Sequence, residues 1–209
     1  MKYLYFCVET NYTVVMPKVK DEKKVTDIHK AAMKLLIQTG FAGLKMADVA
    51  KEANIATGTL YIYYKSKEAL VNDVYEHTRK EMVSVLLDSK NAVSGDFYKT
   101  FASMWLSYFN YCLRYPEKMI FVEQFVYSGL IDSTIIDETE KELKPLNQFI
   151  EFGQEKGIFK PLNVELLKAQ MQGAVHDIIK VIHKKNIELS DTEILQCLGM
   201  SWDAMKRTF

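Results

Sequence analysis

Residues 54–70 read NIATGTLYIYYKSKEAL and crowd hydrogen-bond donors onto one short segment. Thr57 and Thr59 carry hydroxyls, and Gly58 between them leaves room for another molecule to come close. Tyr61 and Tyr63 add phenols on rigid rings, and Lys65 and Lys67 add two ammonium groups. All of these donate to anionic oxygens, and phosphate is the anion such a row suits. A tyrosine holds its donor in place at little cost in rotamer entropy. Leu60 and Tyr64 are spaced to face inward and seat the segment on its neighbours. The plainer reading, in which the tyrosines only pack a helix, fits any one of them taken alone.

Catalytic patterns are missing. His29, His77, His176 and His183 make no HExxH, and no cysteine joins them at metal-ligand spacing. There is no phosphate loop, no GxSxG and no paired-carboxylate context. No enzyme, metal site or cofactor is expected.

A second group of candidates lies in residues 97–131. Phe97, Phe101, Trp105, Tyr108 and Cys112 share one helical face, Phe109 borders it, and Phe121 and Phe125 repeat four residues apart. Such faces are ordinarily core, but an apolar pocket between helices is also the usual form of a small-molecule site. Glu123 and Gln124 interrupt the apolar run, and Gln172 and His176 share a face of a later helix. Buried polar groups need partners, which a ligand or a neighbouring side chain can supply. The expected ligand set is Trp105, Phe109, Cys112, Phe121, Gln124, Phe125, Gln172 and His176, around a small hydrophobic or amphipathic molecule.

The elements that must position these residues are all helical, with no sustained strand alternation. A first helix is expected over 21–39, with Ile28, Ala32, Leu35 and Leu36 inward and Gly40 as its stop. A short helix covers MADVAKEA, and Asn54 suits the left-handed conformation of a tight turn. The donor-rich segment forms another short helix, from about Thr57 to Tyr64. Ser66 then caps a long helix whose inner face runs through Val71, Val74, Tyr75, Thr78, Met82, Val85 and Leu86. After the loop NAVSGD, helices are expected near 96–114, 117–128, 132–156, 163–185 and 190–207, with Pro145 kinking or splitting the third of these.

Two short helices joined by a tight turn behind a longer one make a helix-turn-helix. The run from Ile28 to Tyr75 resembles the TetR family of bacterial transcriptional regulators. TGF at 39–41, DVAKEANI at 48–55 and TGTLYIYYKSKEAL at 57–70 carry the resemblance. Four places depart from the family pattern. Leu44 and Lys45 replace a threonine pair, Ala56 replaces a serine so that Thr57 would have to cap, Ile62 takes a position often polar, and Tyr64 replaces phenylalanine. The resemblance implies a homodimeric repressor released from an inverted-repeat, double-stranded DNA operator by a small ligand. The candidate DNA-binding residues are Lys45, Thr57, Gly58, Thr59, Tyr61, Tyr63, Lys65 and Lys67. It also implies a dimer interface on the final helix pair, through Met171, Ala174, Ile178, Ile194, Leu198 and Trp202, where burial within one chain is the competing reading.

Charge supports an anionic partner at the front only. Net charge is zero, yet residues 17–68 hold ten lysines against six acids, and residues 69–209 hold sixteen Lys or Arg against twenty. The three widely spaced cysteines, Cys7, Cys112 and Cys197, suggest a reducing cytoplasm. The opening run MKYLYFCVE is too short for a membrane span or signal segment. Residues 1–15 are expected to be a non-native or flexible extension with Met16 the natural start, a short ordered arm being the alternative. A DNA-binding domain over 16–66 and a ligand-binding and dimerisation domain over 67–209 complete the expected organisation. A helical lipid- or protein-binding module without sequence-specific DNA activity is the competing function.

Overall fold

Asp21 opens the first helix by accepting from the backbone N–H groups of Lys23 and Lys24. The computed structural model describes residues 21–88 and 96–207; the expected extension over 1–15 and most of the loop at 91–96 lie outside them. Helix α1, Glu22–Gly43, runs past its expected stop: Gly40 leaves the helical path at φ 67°, and one further turn follows. Helix α2, Met46–Glu52, and α3, Thr57–Tyr63, are joined through Asn54 at φ 54°. Ile28, Ala32 and Leu36 of α1, Val49 and Ala50 of α2, and Leu60 of α3 fill the small core beneath them.

Ser66 caps helix α4, Lys67–Leu86, accepting from the Ala69 N–H at 3.1 Å. Helix α4 packs on α1 at one end and on α5 (Phe97–Arg114), α6 (Pro116–Val126) and α7 (Ser133–Lys141) along its length. The expected helix at 132–156 is split into α7 and α8, Lys144–Glu155. Pro145 is the cause, because it lacks the N–H a continuing helix needs but fits a first turn. Helix α9, Val164–Lys185, ends at Asn186 in the left-handed conformation, and α10, Asp191–Met205, begins with a reciprocal capping box between Ser190 and Glu193. Among the described residues there are ten helices and no strand, so the fold is all-α.

Phe159 pins α8 and α10 together. Its ring meets Phe97, Phe149 and Trp202 at centroid distances of 5.9, 5.5 and 5.6 Å. Gly153 makes room for it, since a Cβ there would sit 2.2 Å from the ring. The segment around Phe159 also pairs with the end of α10, where the Lys160 N–H donates to Met205 O and the Arg207 N–H to Ile158 O.

Candidate nucleic-acid interface and inter-helix cavity

Helix α3 is two turns long and divides cleanly. Leu60 is fully buried, Tyr63 half-buried, and Tyr64 just beyond the helix is buried. Thr57, Gly58, Tyr61 and Ile62 form the outward side, with Tyr61 45% and Ile62 70% exposed. Thr59 is half-buried beside them, and no atom lies within 4 Å of where a Gly58 Cβ would be. Lys45 and Lys65 are exposed on either flank. The N-cap position falls on Ala56, without a side-chain bond, and Thr57 is the first helical residue; the expected capping by Thr57 is corrected.

Lys67 is placed differently from a free surface cation. Its Nζ donates to Phe41 O at 2.9 Å and stands 4.2 Å from the Phe41 ring centroid, tying the start of α4 to the end of α1. An ammonium has three donors, so this bond leaves capacity toward a phosphate. The tyrosine at position 64 has a local reason. Its hydroxyl donates to Asp73, and His29 Nε2 lies 2.9 Å from both the Tyr64 hydroxyl and Asp73 Oδ2. Burial, reinforced by Asp73, raises the Tyr64 pKa and keeps the hydroxyl protonated. The trio joins α1, the end of α3 and α4, a connection that phenylalanine could not make.

A cavity of about 860 Å³ opens among α4, α5, α6, α7 and α9. Met82, Leu86, Val122, Ile136 and Leu143 give it apolar walls, and its polar members include the cations Arg79 and Lys168, the acids Glu123, Glu140 and Glu165, and Gln172 and His176. Of the eight expected ligand residues, only Gln172 and His176 line it. Trp105 and Phe109 stack on each other at 4.9 Å, and Phe121 and Phe125 pair at the same distance, all almost fully buried. Cys112 is wholly enclosed, and burial pushes its thiol up to about 12, so it is a small apolar filler. Gln124 is exposed, because α6 turns Met119, Phe121, Val122 and Phe125 inward instead. The aromatic rings pack on one another as core, and the cavity lies beside them.

His176 has found a protein partner, its Nε2 lying 2.8 Å from the Tyr108 hydroxyl. Burial pushes its pKa down to about 4, although Glu123 opposes the shift, so the ring is neutral at physiological pH. Arg79 and Lys168 were not expected at all. Arg79 Nη2 donates to Glu140 Oε1 at 2.8 Å, and Lys168 Nζ lies 2.8 Å from Glu165 Oε1 and 3.5 Å from Glu140 Oε2. The signal was present in the sequence: Arg79 falls four residues after Tyr75 and three before Met82, within the apolar stripe of α4, where a cation is out of place.

The expected interface residues divide between buried and partly exposed. Met171 and Leu198 are buried within the chain, and Ala174, Ile178, Ile194 and Trp202 are half-buried. The Trp202 ring packs on Tyr98, Phe101 and Phe159 within the chain. The outward side of the same helix pair carries other apolar groups, Leu166, Val181, Leu195 and Met200, all at least half exposed. Gly199 has open space above it, whereas Gly173, like Leu166, lines the cavity. Among the described residues no helix is long and apolar enough to cross a membrane, and no cluster of three His, Cys, Asp or Glu could hold a metal.

Two family descriptions match the chain. Residues 28–74 match "Bacterial regulatory proteins, tetR family", and residues 97–206 match "Tetracyclin repressor-like, C-terminal domain". An uncharacterised HTH-type transcriptional regulator of Haemophilus influenzae is 28% identical over 98 residues, which is 47% of this chain and 52% of that relative, so the match spans about half its length. The Bacillus subtilis regulator YhgD is 28% identical over 148 residues, 70% of this chain and 76% of its own. A TetR family transcription regulator from Marinobacter aquaeolei has the same fold, with a TM-score of 0.83 and 24% identity over 90% of this chain and 98% of its own.

Proposed function

Because this chain belongs to the TetR family of bacterial transcriptional regulators, which are DNA-binding proteins and not enzymes, we propose that it is a cytoplasmic, ligand-responsive repressor that grips an inverted-repeat operator as a homodimer. One observation carries the reading: a two-turn helix keeps Thr57, Gly58, Tyr61 and Ile62 in solvent while anchoring itself through Leu60 and Tyr64. Folding gives no reason to expose a tyrosine and an isoleucine side by side. A major groove does: the hydroxyls reach phosphates, and an apolar side chain suits a thymine methyl group. Lys45, Thr59, Tyr63, Lys65 and Lys67 surround this edge and complete the proposed contact set.

Dimerisation draws on the outward face of α9 and α10, which exposes Val181, Leu195 and Met200 and leaves open space above Gly199. A second copy of this face would cover it, and two-fold symmetry would set the recognition helices about 34–36 Å apart, or a multiple of that. The switch runs along α4. That helix starts beside α3 at Lys67 and lines the cavity through Arg79, Met82, Val83 and Leu86. A ligand that binds one position of α4 better than another shifts the spacing of the two recognition helices.

Selection of bound duplexes from a random pool tests this. The expected result is an enriched inverted repeat, bound more weakly as salt rises. A pool without enrichment overturns the reading and favours a helical lipid- or protein-binding module.

A further inference from the structure

The cavity holds a guanidinium with half of one binding edge unused. The Arg79 side chain is only 9% exposed, and its Nη2 donates to Glu140 Oε1 at 2.8 Å. The adjacent Nε–H is buried without an acceptor in the chain. Nε and Nη2 form the side-on edge of a guanidinium, whose parallel N–H bonds match the two oxygens of a single carboxylate. Glu140 fills one place of that pair. A buried donor of a charged group left unmet is costly, so the edge is incomplete.

Glu140 is also a replaceable partner. Its side chain is 41% exposed, so it can turn to water and stay hydrated, whereas Arg79 cannot. Lys168 stands close by, with its side chain 10% exposed and its ammonium 3.5 Å from Glu140 Oε2. A carboxylate from outside can therefore take the place of the internal one while the buried cations keep a counter-charge. The other walls combine aliphatic groups such as Met82, Leu86 and Val122 with the polar Glu123, Gln172 and His176, and a volume of about 860 Å³ is ample for an extended chain.

We propose that the cavity binds a single-chain amphiphile with one carboxylate, whose head takes the Nε–Nη2 edge of Arg79 in place of Glu140 while its tail lies along Met82, Leu86 and Val122. This rests on the reading that the cavity is a ligand site, and names the chemical class it takes. Releasing Glu140 removes an ion pair between α7 and α4, the helix that begins beside the recognition helix.

Calorimetry with dodecanoate, methyl dodecanoate, dodecanol and dodecyl phosphate, each below its micelle concentration, tests the proposal on the full chain. Dodecanoate is expected to bind about tenfold or more tighter than the ester or the alcohol, the range a charge-assisted pair supplies. Arg79→Gln should erase that preference. Glu140→Gln, a change at a partly exposed side chain that spares the fold, should tighten dodecanoate about tenfold by weakening the internal competitor. Equal binding of acid, ester and alcohol, unchanged in Glu140→Gln, overturns the head-group assignment and leaves the cavity as a ligand site. Tighter binding of dodecyl phosphate than of dodecanoate overturns the choice of carboxylate. Binding by none of the four overturns both this proposal and the ligand-site reading.

Discussion

Helices α3 and α5 are both rich in aromatic residues and use them in opposite ways. On α5, Phe101, Trp105, Tyr108 and Phe109 are buried and meet other rings or a histidine, and Tyr98 in the first turn, though 44% exposed, lays its ring against Trp202. On α3, Tyr61 is 45% exposed, and its neighbour Ile62 is more exposed still. A long helix in a bundle needs large apolar side chains to hold its place, so aromatic density there is explained by folding. A two-turn helix has only one inward row, so an aromatic on its outer row is left for a partner. The informative quantity is the aromatic surface that folding does not consume. On α9 and α10 the exposed apolar surface is aliphatic, through Leu166, Val181, Leu195 and Met200, while elsewhere in the rear bundle it includes the aromatic Tyr98, Tyr127 and Phe152.

That comparison breaks most visibly at α10. Leu198 is 1% exposed and Met200, two residues on, is 72% exposed. Leu198→Glu forces a carboxylate into the bundle core and should cost about 4 kcal/mol or more in denaturant unfolding. The pair Leu195→Glu and Met200→Glu touches only the outer side. It should leave the helical circular dichroism intact, sediment as a monomer and bind operator poorly. A stable Leu198→Glu protein, or a dimeric double variant, would reverse the assignment of the two faces.

An intermediate effect separates buried polar groups of the rear bundle from surface ones. Burial holds the His176 ring at about 4, below the ordinary imidazole value of 6.5. Between those values the unfolded chain binds a proton that the folded chain refuses, so stability falls as pH drops through the window and is fully present above it. The groups facing the ring, Glu123, Lys180, Arg79 and Asp177, modify this, but burial dominates. Over pH 6.5 to 4 the wild type should lose on the order of a few kcal/mol from this residue. His176→Gln should flatten that part of the profile in pH-dependent urea titrations. An unchanged slope would mean that His176 is protonated in the folded state.

The sequence was most legible where local rules act alone. Ser66 as a cap, Asn54 in a left-handed turn, Pro145 at a helix break and the inward placing of Leu60 and Tyr64 each follow from a residue's own chemistry and its near neighbours. The cavity was not legible, because which side of an aromatic face stays empty depends on how α7 and α9 pack against it. Helical periodicity places Trp105 and Phe109 inside and says nothing about whether a void lies next to them. The α10 stripe is ambiguous for a related reason. Periodicity located Leu198 and Trp202 on one face correctly, but a helix with two apolar sides gives no sign of which one its own chain covers. Arg79 was the missed clue, a cation inside an apolar stripe whose partner, Glu140, lies 61 residues away.

The smallest expected effects give the sharpest test of the front domain, because two tyrosines three residues apart should behave oppositely. Tyr64→Phe removes a buried hydroxyl that donates to Asp73 and meets His29. It should lower stability by about 1 kcal/mol. Operator affinity should stay close to wild type once the protein is folded, since His29 still holds Asp73 at 2.9 Å. Tyr61→Phe removes an exposed hydroxyl and should leave the melting temperature unchanged while weakening operator binding about fivefold, as expected for one phosphate hydrogen bond. Salt dependence then separates a neutral contact from a charged one. A phenol releases no counterion, so the slope of log affinity against log salt should be the same for Tyr61→Phe and wild type, whereas Lys67→Ala should lower it by about one. Lys67→Ala should also cost some stability, because its ammonium bridges to Phe41 O. If Tyr61→Phe destabilises the fold and leaves DNA binding alone, the outer side of α3 is packing surface after all, and the contrast between α3 and α5 disappears.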